Sequence, residues 1–513
     1  MYYSLRQKMT NAERGTRGKN KMQSINQISE LVELTGALPE NHLSNPDIAP
    51  TPIRERTWNR WHIASLWVGM SVCIPTYMLA ASMIDAGMNW WQSLLTILLG
   101  NVIVLLPMMI NAHAGTKYGI PFPVYVRSSF GVRGAHIPSI LRSVVACGWF
   151  GIQTWIGGMA IHAIISILWP GWENLGGSWQ FMGYGLPQYL GFLLFWFINI
   201  YFVWAGTGAI KKLETFAAPF LIIMGLALLF WAIGKVGSLG EILSKSNELI
   251  NSQQQLSGFA FFFKLFIPWL TAMVGFWATL ALNIPDFTRY AKSQRDQIEG
   301  QAIGLLTTMP LFAFIGITVT SATLILYGEA IWDPVALLAR LTKEYSSPLV
   351  GLMSMFFLVI ATLSTNIAAN VVAPANSFSN LSPRKISFRM GGLIAGLIGI
   401  FIFPWKLLDM YLVWLISYSG LLGAVGGVIV CDYWVIRKLQ LNLRDLYEEH
   451  GEYAYQNGLN HAALIALLAG IGVALLGKMH PALTFLFNGA WFSAAIVAFG
   501  VYWLLMKNKL PKV

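Results

Sequence analysis

The sequence predicts an all-α integral membrane protein with about twelve transmembrane helices, and three observations carry that expectation. Hydrophobic residues make up 56% of the 513 positions and charged residues only 11%, a balance far from that of a soluble domain. Apolar runs of around 20 residues, the length that crosses a bilayer core, recur along the chain. Lys and Arg gather in some of the connections between them and avoid others.

Each run can be placed in order. Spans are expected near 61–86, 91–113, 137–169, 189–204, 215–233, 259–283, 302–327, 349–372, 391–403, 410–430, 459–476 and 483–505. Residues 1–60 are polar and basic and lack the short apolar stretch and cleavage site of a secretory signal, so they read as a flexible cytoplasmic leader. Its Pro46, Pro50 and Pro52 suggest an extended approach to the first span. Basic clusters fall at Lys117, Arg127 and Arg133, at Lys211 and Lys212, at Arg289, Lys292 and Arg295, at Arg384, Lys385 and Arg389, and at Arg437, Lys438 and Arg444. The connections 85–90 and 170–187 hold no Lys or Arg. The positive-inside rule then puts both termini in the cytoplasm, in keeping with an even number of spans. Topology accounts for the net charge of +11, and no nucleic-acid partner is implied.

Several chemistries find no support. Cys73, Cys147 and Cys431 are widely separated and lie in or beside spans, which argues for apolar packing over a disulfide or zinc framework. Gly206-Thr-Gly208 is a lone Gly-x-Gly without the strand and helix of a dinucleotide site. The spans show neither a metal-ligand cluster nor a pair of titratable residues suited to catalysis, so an enzyme is not expected.

An internal repeat gives the strongest functional pointer. Trp67-Val-Gly-Met-Ser-Val-Cys-Ile-Pro75-Thr-Tyr77 and Trp277-Ala-Thr-Leu-Ala-Leu-Asn-Ile-Pro285-Asp-Phe287 share a Trp, a Pro eight positions later and an aromatic two beyond that. Both echoes place a polar residue, Cys73 or Asn283, directly before Ile-Pro. Interrupted spans at matching places in two halves of a membrane protein point to a transporter binding site, because broken helices expose backbone dipoles.

Longer motifs carry a resemblance. Asn45-Pro-Asp-Ile-Ala-Pro50, Arg56-Thr-Trp58, His113-Ala-Gly-Thr-Lys-Tyr-Gly-Ile-Pro-Phe-Pro123, Trp149-Phe-Gly-Ile-Gln153-Thr-Trp155, Asn283-Ile-Pro-Asp-Phe-Thr-Arg289 and Ala368-Ala-Asn370 resemble the nucleobase-cation symporter family 1, which holds hydantoin, allantoin, uracil, cytosine and purine permeases. The similarity runs over about 45–445. It implies a LeuT-like fold: a five-helix repeat over 61–233, an inverted copy over 256–430 and two C-terminal helices over 459–505, with spans one and six broken at the midplane.

The resemblance also implies a site. Trp149 and Gln153 lie four apart and share a helix face; the family pattern sets such a pair against a planar heterocycle, with Trp277, in the broken part of span six, as a second aromatic wall. Gln153 and Asn370 offer both donors and acceptors to a ring edge, although Asn and Gln in spans also serve as interhelical glue. Ser364 and Thr365 hydroxyls with the Ala361 carbonyl, facing carbonyls near Gly69 and Val72, resemble the family's sodium site; a Ser or Thr can instead bond back to its own helix. Asp286 is either a proton carrier or, more simply, a helix-end group paired with Arg289. Cys73 stands where allantoin and hydantoin carriers present Asn or Gln, and a thiol bonds weakly, which tilts the substrate toward a uracil-like or purine-like base.

The function so implied is import of a planar nitrogen heterocycle, such as uracil, hydantoin or allantoin, coupled to sodium or else to a proton, with no other cofactor. A passive facilitator and a membrane-embedded enzyme are the competing classes. A bacterial inner (plasma) membrane is the expected location, and the lipid bilayer the expected environment.

Overall fold

The computed structural model describes residues 31–509 except 40, 206, 254–255 and 383, with side chains over 206–219 set aside. The leader's residues 1–30, Gly206 and the side chains of Lys211 and Lys212 therefore lie outside the described residues. Eight long apolar helices supply spans two (Trp90–Tyr118), three (His136–Leu168), four (Leu186–Ala205), six (Gly258–Asn283), seven (Gln294–Tyr327), eight (Pro348–Leu381), ten (Tyr411–Ile436) and eleven (His461–Met479). Bent pairs make span one (Arg60–Ser71 with Ile74–Asp85) and span twelve (Pro481–Asn488 with Ala490–Met506). Span five is Thr207–Val236, and the shorter Phe388–Phe401 is span nine. The twelve expected spans are thus present among the described residues, with ends shifted by up to nine positions.

Packing sorts the spans into two groups. Spans one, two, six and seven pack on one another; so do three, four, eight and nine, while span five touches seven and eight. Span ten lies against six, and eleven and twelve pack on ten. Small residues permit the close approaches, as expected where lipid leaves van der Waals fit as the main attraction between helices. A Cβ on Gly304 of span seven would sit 2.5 Å from Trp67 Cβ, and one on Gly275 of span six 2.8 Å from Ser419 Cβ.

Span one breaks because of its own residues. Pro75 has no N–H for the carbonyl of Ser71, and Cys73 is extended at φ −148°, ψ 157°. The helix therefore stops at Ser71 and restarts at Ile74, with proline in the first turn, where its missing N–H costs nothing. The halves diverge by 57°. The Cys73 N–H turns to Ser71 O at 3.1 Å, and the carbonyls of Gly69 and Met70 receive no backbone N–H from the second half.

Span six corrects the expected symmetry. Its helix runs unbroken through Asn283, and Ile284 keeps helical angles of −51° and −29°, so Trp277 lies inside a regular helix rather than in a broken segment. Pro285 leaves Ala281 O without its usual donor, but Asn111 Nδ2 of span two reaches that oxygen at 2.8 Å. Asn283 is meanwhile held by Arg142 Nη2 at 2.7 Å and donates to Asp286 Oδ2 at 3.3 Å. A side chain from another span thus substitutes for the missing N–H, and the helix has no reason to open.

The leader is the second correction. Its described part, from Leu31, is an ordered strap laid over the face that carries the basic connections. Pro46–Ile48 forms a short turn in which Asn45 Oδ1 accepts the Ile48 N–H, while Asn45 Nδ2 donates to Ser379 of span eight. Ile48 and Leu43 are buried. Arg56 donates to the carbonyls of Val32, Thr51, Thr116 and Lys117, and Arg127 to those of Leu43 and Leu446 and to Asn380 Oδ1. Sequence polarity alone suggested a loose segment; the few apolar side chains and the carbonyl-seeking arginines dock it. Truncating Ile48 to Ala should therefore cost about 2–5 kcal/mol, the range for a buried aliphatic side chain. Thermal melting of the purified protein checks it, and an unchanged melting temperature would mean the strap is not docked.

Candidate binding site between the helix groups

The residues at the span-one break, on span three, on span six and on span eight meet around one cavity. Cys73, Trp149, Gln153, Trp277, Asn370 and Thr365 all line it. The five residues expected around a ring are thus brought together, although they come from four spans. The volume is about 30 Å3, room for one or two waters. Anything larger than that requires lining side chains to part, and Met70, also in the lining, is unbranched and adaptable.

Helix geometry positions the polar edge. Trp149 and Gln153 share the inward face of span three, and both are nearly buried. Gln153 Oε1 is buried and has no hydrogen-bond partner, an arrangement that costs about 1–3 kcal/mol unless a ligand or water supplies a donor. Asn370 is anchored instead: its Nδ2 donates to Asn366 Oδ1 at 3.0 Å, and Asn366 Nδ2 donates in turn to Thr154 and Asn199. Such a satisfied network holds its members in place. Cys73 Sγ lies 3.2 Å from Thr76 Oγ1. The lining holds no Asp, Glu, Lys, Arg or His, so the site suits an uncharged ligand.

The expected cation ligands divide. Thr365 lines the cavity, and its hydroxyl bonds back to Ala361 O at 3.2 Å. Both halves of span one touch span eight, so the break lies beside it; Gly69, Val72, Ala361 and Ser364 are not part of the cavity wall. Asp286 does not pair with Arg289. Its carboxylate accepts the Phe122 N–H at 2.8 Å and the Asn283 amide, whereas Arg289 reaches Asp47 O and Tyr290.

Sequence reasoning missed three contributors. Phe276 lines the cavity between the two tryptophans, edge-on to Trp149 at 5.1 Å and to Trp277 at 4.9 Å. Asn366 could have been found, since it stands four residues before Asn370 on one face. Thr279 lines the wall one turn before Asn283 and carried no signal of its own.

A multi-span helical protein with a broken first span beside a cavity without charged side chains between two helix groups is a membrane transporter of LeuT-like architecture. Residues 50–493 match the family described as permeases for cytosine/purines, uracil, thiamine and allantoin, and the chain belongs to that family. It is 43% identical over 484 residues to the purine-uracil permease NCS1 of Arabidopsis thaliana, covering 91% of this chain and 78% of that one. It is 40% identical over 474 residues to the allantoin permease of Bacillus subtilis, covering 92% and 94%. Among solved structures it is similar to Mhp1, a nucleobase-cation-symport-1 family transporter, in a closed conformation with bromovinylhydantoin bound, at a TM-score of 0.74 and 26% identity over 91% of this chain and 95% of that one.

Substitutions should separate edge from face. Gln153→Leu or Asn370→Leu should abolish measurable equilibrium binding of every accepted heterocycle. Trp149→Phe or Trp277→Phe, which keep a π-face worth roughly 0.5–1.5 kcal/mol of stacking, should weaken it only several-fold. Near-normal affinity in both Leu variants would place the recognition edge elsewhere.

Proposed function

We propose that the protein is a secondary active symporter that imports an uncharged planar nitrogen heterocycle, uracil or a related nucleobase or else hydantoin or allantoin, coupled to a cation, with sodium as the leading candidate. The observation that carries this reading is the buried, unpartnered Gln153 Oε1 in a cavity walled by Trp149 and Trp277 and free of charged groups. A ring N–H supplies the donor that oxygen lacks, and the indoles supply the faces. The names of the relatives, a purine-uracil permease and an allantoin permease, agree with such ligands. For the cation, the freed carbonyls at the span-one break lie beside span eight, where Ser364, Thr365 and the Ala361 carbonyl offer the oxygen ligands a hard ion takes. A plasma-membrane location with both termini cytoplasmic is part of this proposal, the basic connections supporting the orientation.

Proton coupling is the second reading, and Asp286 favours it. This carboxylate is buried and joined through Asn283 to Arg142. Linkage separates the two: if sodium is coupled, it tightens substrate binding by the factor with which substrate tightens sodium, typically about 5- to 150-fold. Ser364→Ala with Thr365→Val should abolish that effect and leave weak sodium-independent binding. Binding that responds to pH and ignores sodium would overturn the sodium site. Accumulation of unmodified substrate in proteoliposomes under an imposed gradient tests symport itself.

Cys73 bears on the substrate. Its thiol is engaged with Thr76 and is a weak partner for a ring edge, which favours a uracil-like or purine-like base. Cys73→Asn should shift preference toward allantoin or hydantoin, measured as the ratio of dissociation constants; an unchanged ratio would remove Cys73 from the recognition edge.

A further inference from the structure

Both tryptophan walls are pinned from behind by their indole N–H groups. Trp149 Nε1 donates to the Tyr418 hydroxyl at 3.1 Å, and that hydroxyl donates to Gly275 O at 2.9 Å. Trp277 Nε1 donates to Asn101 Oδ1 at 3.1 Å, with Met309 Sδ at 3.0 Å. Tyr418 and Asn101 are buried, and neither lines the cavity. An indole has one donor, at one edge of the ring; holding that edge fixes the ring's rotation and hence which face it turns to a ligand. The Tyr418 hydroxyl thereby ties together three spans: the wall on span three, the backbone of span six and span ten, from which it comes. This is possible because span ten touches span six at Gly275, where an added Cβ would lie 3.0 Å from Leu415 O.

We propose that Tyr418 and Asn101 are positioning residues that set the planes of Trp149 and Trp277. With both indole donors already committed, the walls recognise a ligand by stacking alone, and hydrogen-bond selection falls to Gln153 and Asn370. This rests on the reading of the cavity as a site for a planar ring.

A double-mutant cycle tests it, using equilibrium binding of uracil, hydantoin and allantoin to the purified full-length protein. Tyr418→Phe leaves the Trp149 N–H buried without an acceptor and should raise Kd at least about fivefold, by a similar factor for every ring that binds. In a Trp149→Phe background there is no N–H to orphan, and Tyr418→Phe should change Kd less than about twofold. Removing both acceptors of the Trp277 N–H, by Asn101→Ala with Met309→Leu, in unmodified and Trp277→Phe backgrounds forms a second, independent cycle with the same expectation, should Tyr418→Phe fail to fold. A merely structural Tyr418 would lower the melting temperature in both backgrounds and leave the affinity of folded protein unchanged. Additive losses in both cycles, or a loss confined to one ring, overturn the positioning role alone. Failure of the unmodified protein to bind any of the three rings overturns the reading of the cavity, and this inference with it.

Discussion

The structure depends on a backbone constraint: inside a bilayer every N–H and C=O must find a partner within the protein, and Pro75 removes one. Span one answers by stopping at Ser71 and restarting at Ile74 across an extended Cys73. The break gives up helix hydrogen bonds at the level of the cavity, and it lies beside span eight, where Thr365 and Asn370 reach the same space. Tolerating unspent carbonyls there is the physical basis for reading the place as a site for a polar ligand or ion rather than as a defect.

The contrast with Pro285 shows how conditional such a break is. The same Ile-Pro dipeptide closes span six, yet Asn111 supplies a donor to Ala281 O and the chain passes at helical angles through Ile284 into the short helix Pro285–Thr288. That amide comes from 170 residues away in sequence. The two spans of one helix group therefore bring different things to the cavity: span six offers a helical face carrying Phe276 and Trp277, and span one offers backbone.

Polar economy explains the rest of the interior. Asn370, Asn366, Thr154 and Asn199 satisfy one another. Trp149 and Trp277 give their donors to Tyr418 and Asn101, and at the basic face Arg56 and Arg127 donate to carbonyls of the strap, of the end of span two and of a connecting segment. Several buried polar atoms go without a partner, but among them Gln153 Oε1 belongs to a residue that lines the cavity, and a desolvated acceptor without a donor is unfavourable until something binds.

The sequence by itself determined what neighbouring residues decide. Apolar length set the spans, Pro75 beside Cys73 marked the break, and the four-residue spacing of Trp149 and Gln153 put them on one face; motif similarity then pointed to Trp277, Asn370 and the span-eight hydroxyls. Helix period and proline chemistry act over a few residues, so they are legible in one dimension. Only the tertiary structure decided that span six stays helical past Trp277 to Asn283, that Asp286 faces Phe122 and Asn283 instead of Arg289, that the leader from Leu31 is docked, and that Tyr418 and Asn101 back the aromatic walls. Each of these is a hydrogen bond or a burial between residues far apart in the chain, and a buried polar group takes whichever partner the packing of distant helices brings within about 3 Å of it.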